Sequence, residues 1–161
     1  MKNQVTKFIL FFVVASILII LDQFTKQLAF KYLFNQEPKV IIKDVFELVY
    51  TENRGAAFGV LQGKQTFFYI ITVIVLIVLL VFVFKIELSK HNILLLVIID
   101  LIFSGAVGNF IDRVKNQYVI DFLYFKPIDF PVFNLADSYI TIGCILMVLS
   151  MFTIYKDKEV L

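Results

Sequence analysis

The sequence predicts an all-α integral membrane protein of four transmembrane helices with a small extracytoplasmic β element. Three observations carry that prediction. Apolar residues make up 60 % of the 161-residue chain, against about 45–50 % in soluble domains. Only 17 % are charged, too few to cover a solvated globule, and the mean hydropathy is +0.90. The apolar residues also fall into four long runs separated by two long loops and one short one.

The first run, Phe8 to Leu21, has Ser16 as its one polar residue and continues as helix through Asp22 and Lys26. Lys2 and Lys7 ahead of it resemble the start of a cleavable signal peptide, but no small-x-small cleavage site follows, so a retained helix is expected. The second run is Phe67–Phe84. The third, Ile93–Phe110, is interrupted by Asp100 and Ser104, and the fourth is Tyr139–Tyr155. About 20 apolar residues cross a hydrocarbon core of ~30 Å. The expected spans are therefore 8–27, 67–84, 93–110 and 139–155, in a single membrane domain over 1–161 with outer loops 28–66 and 111–138. An even number of spans puts both termini on one side. Lys2, Lys7, Lys85, Lys90, Lys156 and Lys158 share that side in short segments, which predicts cytoplasmic termini.

The loops differ in kind. Residues 85–92 read as a plain tether. The first outer loop holds Val40–Tyr50, rich in β-branched and aromatic residues, and the second holds Tyr118–Phe122, so both carry strand signals. Pro127 and Pro131 punctuate the approach to the last span.

A net charge of +2 with scattered lysines gives no case for nucleic acid. The single cysteine, Cys144, excludes an intramolecular disulfide and a cysteine-rich metal site, and no histidine lies near the polar residues that could build a metal centre. No cofactor is called for.

Polar groups in such a chain are expensive and therefore informative. Asp22 and Lys26 share a helix face at the outer end of the first span. Gly108, Asn109, Asp112 and Arg113 crowd the outer end of the third, and Asn134, Asp137 and Ser138 mark the entrance to the fourth. Asn53, Arg54 and Gly55 lie in the first outer loop and Asp121 in the second. A rim of caps and ion pairs is the plainer account, but it does not require so many Asn and Asp at one interface.

Two carboxylates held together in a dry pocket cannot both ionise cheaply, and one protonated beside one ionised suits activation of water against an amide. The candidates are Asp112, Asp121, Asp129 and Asp137. Asp112 adjoins Arg113 and is expected to be neutralised by it, while Asp129 sits between prolines. Asp121, in an apolar strand, and Asp137, at a span entrance, are better placed for burial. The residues alone do not choose the pair.

Five segments taken in order resemble a known family: Leu21–Lys26 (LDQFTK), Asn53–Gly59 (NRGAAFG), Gly105–Arg113 (GAVGNFIDR), Val119–Phe122 (VIDF) and Phe133–Ser138 (FNLADS). Together they are similar to lipoprotein signal peptidase, the type II signal peptidase of bacteria. That resemblance implies a multi-pass enzyme of the bacterial cytoplasmic membrane, an aspartic endopeptidase with its site near the outer leaflet. It implies removal of signal peptides from diacylglyceryl-modified prolipoproteins by cleavage just before the lipid-modified cysteine, contact with membrane lipids, and inhibition by globomycin-type antibiotics. It assigns the catalytic dyad to Asp121 and Asp137. Asp22, Lys26, Asn53, Gly108, Asn109, Arg113, Asn134 and Ala136 are then expected to line or support the substrate pocket. Asp100, mid-span, departs from the family pattern and lies about 180° around the helix from Asn109.

Other chemistries need other features. A serine–lysine peptidase would use Ser138 with Lys26, but Ser138 fits a helix-start role after Asp137. Cys144 and His91 belong to a span and to the opposite loop. A small transporter or assembly factor would also place Asp and Arg in a membrane, yet the broken helices or internal repeats of transporters are not evident.

Overall fold

The computed structural model describes residues 2–55 and 62–154. Its elements run α1 (Lys2–Leu33), β1 (Lys39–Ile42), β2 (Phe46–Asn53), α2 (Gln65–Lys85), α3 (Ile93–Asn116), β3 (Val119–Phe125), a 3₁₀ turn (Lys126–Ile128) and α4 (Leu135–Thr153). All four α-helices are long and apolar enough to cross a membrane. Lys156, Lys158 and the Ala56–Gly59 part of the second motif lie outside the described residues.

α1 runs past its apolar stretch. At 1.5 Å per residue its 32 residues extend about 48 Å, well beyond a ~30 Å core. The polar turns around Asp22 and Lys26 and the aromatic turns after them therefore stay helical at one end of the bundle. Nothing between Asp22 and Leu33 is a Gly or Pro that would stop the helix.

α3 is the central helix and packs against the other three. Its small residues permit this. A Cβ built on Gly105 would collide with the Ala136 carbonyl oxygen, and one on Gly108 would lie 2.5 Å from Asp22 Oδ2. One apolar cluster, including Phe11, Ala15, Val83, Ile86, Leu95, Ile99 and Phe103, fills the end near the 85–92 tether. There Lys7, read as a basic flank, is instead 2 % exposed. Its ammonium donates to the carbonyls of Ile86 (2.7 Å) and Phe84 (3.3 Å), satisfying acceptors left open where α2 ends.

At the other end sits an antiparallel sheet in the order β1-β2-β3. The strand signals at 40–50 resolve into two strands and the signal at 118–122 into the third. A second cluster, Ala29, Leu33, Ile120 and Phe122, binds that sheet to the projecting end of α1. After the 3₁₀ turn the chain returns to β3: Phe133 N–H donates to the Leu123 carbonyl (3.0 Å), and Leu123 N–H to the Phe133 carbonyl (2.8 Å). That bridge delivers Asn134 and the start of α4 beside Asp121.

Candidate active site

Asp121 lies in β3 opposite Thr51 of β2. Asn53 stands two residues along on the same face, a diagonal cross-strand neighbour, and its Nδ2 donates to Asp121 Oδ2 (3.0 Å). α4 starts with a capping box in which Asp137 N–H donates to Asn134 Oδ1 (2.9 Å) and Asn134 N–H donates to Asp137 Oδ2 (3.2 Å). Asn134, not Ser138, is thus the helix cap. Ser138 Oγ donates to the Asn134 carbonyl (3.0 Å).

The remaining carboxylate oxygens are also served. Asn134 Nδ2 donates to Asp121 Oδ1 (2.6 Å), and Asn109 Nδ2 to Asp137 Oδ1 (2.7 Å). Each of the four oxygens thus accepts one donor and keeps capacity for a proton or water. Asp121 and Asp137 both border a cavity of about 830 Å³, with Asn53, Arg113, Phe133 and Thr141 among its walls. Further apolar walls come from Phe125, Ile128, Phe130 and Ile140. Burial first, and the neighbouring Asp137 carboxylate second, push the Asp121 carboxyl up to about 7, although its bonds from Asn53 and Asn134 and the Lys26 charge oppose the rise. A carboxyl poised near neutrality beside a second carboxylate is the chemistry that shared-proton acid/base work needs.

The other expected site residues divide by position. Asn53 and Arg113 border the cavity. Asp22, Lys26, Asn109, Asn134 and Ala136 are buried behind it, each at most 7 % exposed, and Gly108 packs against Asp22. Asp22 Oδ1 accepts the Ala136 N–H (3.0 Å), one of the unpaired donors in the first turn of α4, so α1 caps α4 from a distance.

The pairing expected between Asp112 and Arg113 is not formed. Neighbours in sequence on a helix point about 100° apart. Asp112 Oδ2 instead pairs with Lys26 (2.9 Å) and accepts the Ile120 N–H (3.2 Å). The Arg113 guanidinium lies over the Phe68 ring, 4.7 Å from its centroid, and reaches the carbonyls of Asn109 and Gly55, each at 3.4 Å. Gln23 is a site residue that the sequence reading passed over. Its Nε2 donates to Asp112 Oδ1 (2.9 Å) and the Gly108 carbonyl (3.2 Å). The signal was its place between Asp22 and Lys26 in the first motif.

Asp129 is exposed, in the left-handed region with φ 48°, and accepts from Tyr124 Oη (2.7 Å). It stands outside the pair. Asp100 is buried and accepts from Ser104 Oγ (3.3 Å). Lys26 forms its contacts with Asp22, Asp112 and Asn109 rather than with Ser138, which removes the geometric basis of a serine–lysine pair.

Comparison with known proteins bears on the family and the overall fold. A family model described as signal peptidase (SPase) II matches residues 14–153. A lipoprotein signal peptidase of Caldanaerobacter subterraneus subsp. tengcongensis is 50 % identical over 137 residues, covering 84 % of this chain and 90 % of the relative. One from Staphylococcus haemolyticus is 40 % identical over 149 residues, 91 % of this chain and 93 % of the relative. A bacterial membrane enzyme solved by the in meso method at 2.3 Å superposes with a TM-score of 0.81 at 40 % identity, covering 94 % of both chains.

Proposed function

Since the chain belongs to the signal peptidase II family, we propose that Asp121 and Asp137 are the catalytic dyad with which it cleaves signal peptides from prolipoproteins. The protein is a multi-pass membrane protease of that family. The observation that carries the dyad is the convergence of these two carboxylates, from β3 and α4, on one cavity wall with each oxygen held by a fixed donor.

In the proposed reaction a water between the two carboxyls loses its proton to the ionised one. The water oxygen bonds to the scissile carbonyl carbon while the protonated carboxyl, Asp121 in this reading, gives its proton to the carbonyl oxygen, forming a tetrahedral diol. Asp137 then passes the proton it took to the leaving nitrogen as the C–N bond breaks, and Asp121 recovers a proton from the diol as the new carboxylic acid forms. The pair titrates as a unit. Arg113, at the cavity edge, is placed to orient the substrate backbone with its planar donors.

The substrate is a prolipoprotein whose cysteine carries a diacylglyceryl group, with the cleaved bond just before that cysteine. The apolar walls at Phe125, Ile128, Phe130 and Ile140 suit acyl chains beside a polar centre, and membrane lipids and globomycin-type inhibitors would compete for the same space. The sheet and site face the outer leaflet of the bacterial cytoplasmic membrane in this reading, and both termini are cytoplasmic.

Cleavage of a lipidated model prolipoprotein in detergent or bilayers tests the dyad. Asp121→Asn and Asp137→Asn keep the shape and one of the two acceptor oxygens but remove half of a coupled unit. Each is expected to lose several orders of magnitude in rate, on the order of 10³-fold or more, with the double variant little worse. The exposed Asp129→Asn keeps most activity. Cleavage that persists in either dyad variant while Ser138→Ala is dead would transfer the chemistry to Ser138.

A further inference from the structure

Three carboxamides hold the dyad, and each can donate only if its oxygen points away from the carboxylate it serves. A flipped amide would present oxygen to oxygen. For Asn53 the orientation is set by backbone, since its Oδ1 accepts the Gly55 N–H (3.0 Å). For Asn134 it is again backbone, the Asp137 N–H. For Asn109 it is a side chain: Lys26 Nζ donates to Asn109 Oδ1 (3.0 Å). An ammonium has donors and no acceptor. The atom of Asn109 that faces it must be oxygen, and the NH₂ is thereby aimed at Asp137. Asn134 Nδ2 also approaches Asn109 Oδ1 (3.2 Å), but that group shares its two hydrogens with Asp121 (2.6 Å) and the Ile120 carbonyl (3.3 Å).

Lys26 itself has little freedom. It is 1 % exposed and pinned at 2.9 Å by both Asp22 and Asp112, while Gln23 Nε2 ties Asp112 to the Gly108 carbonyl in α3. It does not border the cavity. We infer that Lys26 is a positioning residue rather than a substrate contact: clamped between Asp22 and Asp112, it fixes the Asn109 carboxamide so that Asp137 receives a hydrogen-bond donor.

This rests on the dyad reading above and predicts a kinetic signature of its own. Lys26→Met should lower kcat on the order of 10–100-fold, the scale seen when a group that orients a reacting group is lost, with KM little changed. The loss should vanish in an Asn109→Ala background, because a residue acting through another adds nothing once that other is gone. Lys26→Met strands two buried carboxylates and can fail to fold. Lys26→Met/Asp112→Asn, compared with Asp112→Asn, restores the cluster's native net charge and leaves only Asp22 without its ammonium, so it gives the same readout with a smaller burden. The inference is overturned by a kcat for Lys26→Met equal to wild type, by a kcat for the double variant equal to that of Asp112→Asn, by a rise in KM alone, or by an equal loss with and without Asn109. Failure of the dyad reading looks different, since there Asp121→Asn or Asp137→Asn would still cleave.

Discussion

At the scale of single residues, the proposed site is built from side chains that also serve the fold. Asp137 is the N3 residue of a capping box and borders the cavity, so its rotamer is fixed by the start of α4 before any substrate arrives. Arg113 combines a planar contact over Phe68 with two carbonyl contacts in different directions. A lysine offers a point charge on a flexible stem and reproduces neither the stacking nor the fork. Arg113→Lys is accordingly expected to cut kcat/KM by about 10-fold, a loss of ~1.4 kcal/mol in transition-state stabilisation; wild-type kinetics would reduce Arg113 to a charge on the rim. Asp100 is the contrasting case. Its partner Ser104 Oγ is a donor whose hydrogen bond a carboxamide oxygen also accepts. Asp100→Asn is expected to retain cleavage, and a severe loss in folded protein would bring that face of α3 into the mechanism.

At the scale of elements, the sheet and α4 determine each other. β3 carries Asp121, and its bridge to Phe133 places the cap of α4. The Asp121 carboxyl, raised from 3.8 to about 7 chiefly by burial, ties this junction to pH. Between roughly pH 4 and 7 the folded chain keeps a proton that the unfolded chain has lost, so this contribution to stability is full below pH 4 and disappears as pH rises through 7. Thermal unfolding in detergent should show Tm falling across that window. Asp121→Asn, which cannot ionise, should show a flatter profile. Equal slopes in the two proteins would mean that Asp121 does not titrate there. Gly108 belongs to the same scale: a methyl at this position meets Asp22 Oδ2, so Gly108→Ala should lower Tm and, by displacing the Asp22–Lys26 pair, depress cleavage as well. An unchanged Tm would show that α1 and α3 part easily.

At the scale of the whole molecule, the polarity is one-sided. The described polar network, the cavity and the sheet share one end of the bundle, while Lys7, the α2 terminus and the 85–92 tether occupy the other. The proposed orientation puts the tether end in the cytoplasm, as the positive-inside rule predicts. Cysteine replaced for His91 in a Cys144→Ser background should be labelled by an impermeant maleimide only after the cells are permeabilised. Labelling of intact cells would invert the molecule.

What the sequence determined by itself was whatever a one-dimensional pattern can encode. Four apolar runs gave the spans because hydrocarbon tolerates no unpaired backbone, and β-branched runs at Val40–Tyr50 and Tyr118–Phe122 gave the sheet. Five motifs in order gave the family and nominated Asp121 and Asp137 as the dyad proposed above. Partner choice was not legible. Asp112 adjoins Arg113 in the chain but pairs with Lys26, 86 positions away, because helix geometry turns neighbours apart and packing of α1 on α3 brings distant faces together. Lys7, a basic flank by sequence, became a buried donor to α2 for the same reason. The division of the polar set into cavity wall and buried support was likewise settled only by tertiary structure. Which oxygen faces which donor depends on where three helices and two strands meet, and no spacing within one segment records that.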